Sequence, residues 1–77
     1  MVMPSIDMQA TGANITALRK AAGLTVHDLQ IVFGFNSPVA IYKWINGTAL
    51  PTVDNLVILA AVLHVRIDDI LVVGAGV

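Results

Sequence analysis

Apolar positions along the chain recur at helical spacing, and capping residues break them into segments. Thr11, Ile15, Leu18 and Ala22 mark one face of a first helix, with Asp7 placed to cap its start and Gly23 to end it. Arg19 and Lys20 fall in its last turn, where the helix dipole favours cations, and Gly12 in its interior costs some helix propensity. Leu24 followed by Thr25, with Asp28 three residues on, has the form of a capping box. A second helix is therefore expected from about Val26, burying Leu29, Val32 and Phe33 and ending at Gly34.

Ser37 followed by Pro38 is the pairing expected at a helix start, which predicts a third helix from Pro38 to Ile45 or Asn46, stopped by Gly47. This helix has two distinct sides. Ala40, Ile41 and Trp44 share one, and Val39, Tyr42, Lys43 and Asn46 share the other. Trp44 is expected in the core, its indole N–H seeking a backbone acceptor. Thr52 is placed to cap a fourth helix from Val53 to about Leu63, with Leu56, Leu59, Ala60 and Leu63 inside. The opposite side, Val57, Ile58, Ala61 and Val62, is also apolar, so a covering surface is expected there. A short fifth helix is expected over Ile67 to Leu71, preceded by Arg66, a poor capping residue. Residues 1–6 read as a loose arm, 7–71 as the folded domain and 72–77 as an apolar tail; no strand signal stands out. The fold class is all-α, a compact five-helix bundle containing a helix-turn-helix.

Composition narrows the function classes. The chain has 77 residues, one small domain, and no cysteine, so neither a disulfide frame nor a thiolate metal site is available. Its net charge of −1 separates it from polybasic nucleic-acid binders. Although 57% of the residues are hydrophobic, the longest apolar run, Leu56 to Val65 around His64, is far shorter than the roughly 20 residues a membrane span needs. With no secretion signal visible, a soluble cytoplasmic protein without membrane association is expected. His27 and His64 lack a metal-ligand spacing, and each Asp lies at or just inside a predicted helix start, where capping and dipole effects explain it. No carboxylate is left for acid–base work, and Ser5 and Ser37 have no sequence-local His partner. The reading is therefore of a non-enzyme with no cofactor, no metal and no small-molecule substrate.

Phe33-Gly34-Phe35, Ser37-Pro38, Ala40 to Trp44, Gly47, Leu50-Pro51-Thr52 and Asp54-Asn55-Leu56, led by Leu18-Arg19-Lys20, Gly23-Leu24-Thr25 and Asp28-Leu29, resemble one family in order and spacing. From Ile15 to Leu71 the chain looks like a lambda-repressor/Cro-like helix-turn-helix domain of the XRE type. The resemblance implies that the second and third helices form a DNA-reading unit, commonly as a homodimer on a two-fold operator in double-stranded DNA. The residues it places at DNA are Thr25, Val26, Asn36, Ser37, Val39, Tyr42, Lys43, Asn46 and Thr48. Relatives commonly carry Gln where Val26 and Val39 stand, and Gln or Glu followed by Arg where Ile45 and Asn46 stand. Two functions follow: a DNA-binding transcriptional regulator, expected to be a repressor, or a protein-interaction, dimerisation or antitoxin-like module on the same scaffold with weakened or lost DNA binding.

Overall fold

A computed structural model describes residues 3–74. Five helices form where the sequence places them: α1 (Met8–Ala21), α2 (Val26–Phe33), α3 (Val39–Ile45), α4 (Val53–Leu63) and α5 (Ile67–Ile70). Three of the expected caps close with side-chain hydrogen bonds. Asp7 Oδ1 accepts from the Ala10 N–H at 2.9 Å, and Thr52 Oγ1 accepts from the Asn55 N–H at 3.3 Å. At α2 the capping box is complete: Thr25 Oγ1 accepts from the Asp28 N–H at 3.0 Å while Asp28 Oδ2 accepts from the Thr25 N–H at 2.8 Å. Arg66 contributes no acceptor at α5, and Asp69 Oδ2 instead reaches back to the Arg66 N–H at 2.9 Å.

Several expectations need correction. The arm is not loose throughout: β1 (Ser5–Ile6) pairs antiparallel with β2 (Val73–Gly74), Ser5 opposite Gly74 and Ile6 opposite Val73. The outer ends of the arm and tail, residues 1–2 and 75–77, lie outside the described residues. The pairing continues where the Asp7 N–H donates to the Val72 carbonyl at 2.8 Å. Asp7's own carbonyl serves the first turn of α1 by accepting from the Thr11 N–H, so the Val72 N–H donates to the buried Thr11 hydroxyl oxygen at 2.9 Å instead. Asn14 completes the seam, its amide donating to the carbonyls of Asp69 and Ile70 at 2.6 and 3.0 Å. Pro38 is the N-cap of α3 and helical geometry begins one residue later, at Val39. Ala22 and Val32, expected inside, are exposed, because α1 ends a residue earlier and α2 rests on the core through Leu29 and Phe33. The fifth helix ends at Ile70, with Leu71 already extended.

The core is Ile15, Leu29, Ile41, Trp44, Leu56, Leu59, Ala60, Leu63 and Ile70, drawn from all five helices. It sits behind α3 and fixes that helix from within. His64, with φ 57°, takes the left-handed position that ends α4, a job the sequence would more readily assign to glycine.

Candidate nucleic-acid interface

The turn between α2 and α3 is set by Gly34, whose φ of 69° lies in the left-handed region open to glycine. Its N–H donates to the Ile31 carbonyl, and the Phe35 N–H reaches the Gln30 carbonyl, both at 3.1 Å. This reversal stacks Phe33 on Phe35 with ring centres 5.2 Å apart, and Trp44 meets both rings edge-to-face at 5.3 and 6.0 Å. The aromatic trio clamps α3 to α2. No indole hydrogen bond to a backbone acceptor appears among the described residues, so aromatic packing holds the Trp44 ring in the place of the expected hydrogen bond.

α3 is also held by α1. Gly12 is buried against it, and a Cβ added there would overlap the carbonyl oxygens of both Trp44 and Ile45. Gly47, with φ 74°, ends α3 and lies so close to the Gln9 backbone that a Cβ would approach its Cα to 2.8 Å. Thr48 closes the end of the helix: its N–H and hydroxyl both donate to the Lys43 carbonyl, at 3.0 and 3.2 Å.

The two faces of α3 separate as the sequence predicts. Ile41 and Trp44 are buried, at 0% and 4% exposure, whereas Val39 and Tyr42 are about half exposed, at 54% and 49%. Lys43 and Asn46 are also exposed, as are Asn36, Ser37 and Thr48 before and after the helix. Ser37 Oγ accepts from the Val39 N–H at a long 3.5 Å, which leaves the hydroxyl close to the helix start. Thr25 is exposed at the start of α2, but Val26 is half-buried, with its side chain packed against the core. Any contact Val26 makes with a ligand must therefore come from its backbone N–H. Within the first turn of α2 the capping box engages the N–H groups of Thr25 and Asp28. Those of Val26 and His27 point the same way along the helix axis without a capping side chain.

Electrostatics on this face are sparse. Arg19 is committed to the α1–α2 connection, donating from Nη1 to the Leu24 carbonyl at 2.8 Å, and Arg66 pairs with Asp68 at 3.5 Å. Lys43 makes no ion pair among the described residues and stands on the exposed face of α3. Asp28's carboxyl is held below its ordinary value of 3.8, chiefly by the Thr25 N–H, then by the Thr25 hydroxyl, with His27 nearby assisting.

Sequence reasoning missed the importance of Gly12 and Gly47 in placing α3. The signal was present for Gly12, which lies one turn before Ile15 on the buried stripe.

A family model for the helix-turn-helix matches residues 15–70. A comparison with curated proteins finds no match. Among solved structures, the restriction-modification controller protein C.AhdI from Aeromonas hydrophila superposes with a TM-score of 0.73 at 22% identity, covering 83% of this chain and 96% of that one. The BldD DNA-binding domain of S. venezulae gives 0.69 at 24% identity over 84% and 96%, and the clp gene regulator ClgR of C. glutamicum gives 0.69 at 21% over 82% and 80%. At such identities these likenesses speak to the fold, whereas the family match spans most of the chain and contains both α2 and α3. The chain belongs to the XRE-type helix-turn-helix family, whose members are DNA-binding regulators of transcription.

Proposed function

We propose that this protein is a sequence-specific repressor in the cytoplasm that occupies promoter DNA as a homodimer on a two-fold operator. In this reading α3 enters the major groove, which admits one α-helix, and presents its N-terminal residues to base edges. Val39 meets a thymine methyl, Ser37 and Tyr42 exchange hydrogen bonds with bases or phosphate, and Lys43 reaches guanine acceptors or a phosphate. Asn36, Asn46 and Thr48 flank the groove. The unengaged N–H groups of Val26 and His27 hold a backbone phosphate at the positive end of α2, with Thr25 beside them. The observation that carries the reading is the division of α3: Ile41 and Trp44 are locked inside while Val39, Tyr42 and Lys43 stand outside.

Few cations serve this surface, so the electrostatic share of binding is small. With Lys43 as the cation that each subunit brings to DNA, a dimer gives log K falling with log salt at a slope of roughly −2 to −3. Fluorescence anisotropy on duplex DNA across a salt series tests this. A slope in that range supports the reading, and absence of binding at low salt overturns it. The exposed Val39 at the centre of the reading face favours a second reading, an interaction module whose DNA face has decayed, and that same absence of binding is its expected result.

A further inference from the structure

Val39 opens α3 and is the exposed aliphatic side chain of that helix. Its backbone N–H is directed to Ser37 Oγ, so the residue brings neither donor nor acceptor to a base edge. An aliphatic side chain cannot tell the thymine O4 acceptor from the cytosine amino donor, and the one feature of a pyrimidine it can grip in the major groove is a methyl group at C5. Thymine always carries that methyl, and cytosine carries it once methylated. Tyr42 and Lys43 stand three and four residues on, exposed on the same side and within about 5–6 Å of Val39 between Cβ atoms. Lys43 offers donors alone, which match the N7 and O6 acceptors of guanine. With base pairs spaced about 3.4 Å apart, the lysine stem spans the remaining distance and sets the methyl and the guanine on neighbouring pairs.

We propose that α3 reads a C5-methyl group beside a guanine, so that methylation of cytosine raises binding at a cytosine–guanine step as thymine's own methyl does at a thymine–guanine step. The inference rests on the DNA reading of α3 and adds that the methylation state of the site sets its affinity. Val39 and the ring of Tyr42 border the methyl, and its burial removes apolar surface of both partners from water. A bare C5–H leaves that surface unfilled. One buried methyl is worth about fourfold in affinity at each half-site. That gain is not drowned by phosphate attraction, because the chain carries a net charge of −1, Arg19 is held on the Leu24 carbonyl and Arg66 pairs with Asp68.

Fluorescence anisotropy on a duplex enriched from a random pool tests it, with single methyl groups exchanged at the pyrimidine–guanine step of the enriched motif. Thymine is replaced by uracil, and in a second pair of duplexes cytosine is compared with 5-methylcytosine. Uracil is expected to weaken wild-type binding by about fourfold per half-site, and 5-methylcytosine to strengthen it by the same factor over cytosine. Val39→Ser, at an exposed position, is expected to leave the melting temperature unchanged and to bind the methylated and unmethylated duplexes of each pair equally. Lys43→Ala is expected to weaken binding to every duplex while keeping the methyl increment. A motif without a pyrimidine–guanine step, a uracil duplex bound as tightly as its thymine parent, or a Val39→Ser variant that keeps the preference would overturn the proposal and leave the DNA reading standing. An effect at thymine with none at 5-methylcytosine would overturn the dependence on cytosine methylation. A pool from which nothing is enriched contradicts the DNA reading itself, and the proposal with it.

Discussion

Gly12 on α1 faces the carbonyl oxygen of Trp44 on α3 so closely that no side chain fits between them. The contact makes α1 the seat on which the candidate reading helix rests. Gly12→Ala adds helix propensity worth about 1 kcal/mol, yet the added methyl meets backbone, which cannot swing aside. Overpacking is expected to win, with a net loss of about 2 kcal/mol in urea unfolding. Gly23→Ala is a useful contrast, because nothing lies near its Cβ and only the left-handed φ of 72° resists it, costing about 1 kcal/mol.

Thr11 holds the C-terminal segment by accepting the Val72 N–H, in a site with no exposure to water. Thr11→Val keeps the volume and removes the acceptor. The orphaned N–H is expected to cost about 1–3 kcal/mol, and hydrogen exchange should show Val72 losing protection ahead of the α3 amides.

The two sides of α3 are expected to respond in opposite ways. Trp44→Ala removes the ring that Phe33 and Phe35 enclose and should lower stability by about 3–5 kcal/mol. Lys43→Ala touches only the exposed face and should leave the melting temperature nearly unchanged while weakening DNA binding and making the salt slope shallower by about 1 per subunit. The reverse pattern would mean that the faces are assigned the wrong way round.

Asp28 links the α2 cap to pH. Its folded-state pKa is depressed, so its contribution is present above the unfolded value of 3.8 and is lost as pH falls through the lower folded value. The stability difference between wild type and Asp28→Asn should therefore shrink as pH is lowered from about 6 to about 2. Urea titrations at several pH values read this directly.

Much of the framework was legible because its signals are local. Asp7, Thr25 with Asp28, and Thr52 name helix starts by side-chain chemistry that acts within one turn, and each forms its hydrogen bond in the structure. The faces of α3 were legible for the same reason, since Ile41 and Trp44 lie three residues apart on one side. What escaped depends on pairs far apart in the chain. The β1–β2 clasp joins residues at opposite ends through two pairs of backbone positions, too short a match to leave an alternating pattern. Gly12 reads in the sequence as a flaw in a helix, and its role depends on the distant carbonyls of Trp44 and Ile45 that lie against it. Val32 followed the helical period and still lies outside, because α2 packs through one side only.

The central claim is that the outward face of α3 reads DNA sequence, and selection of bound duplexes from a random pool tests it most directly. At low salt the wild-type chain should enrich a motif with two-fold symmetry, and Lys43→Ala should blur that motif at the positions Lys43 contacts. A selection that enriches no motif would contradict the account.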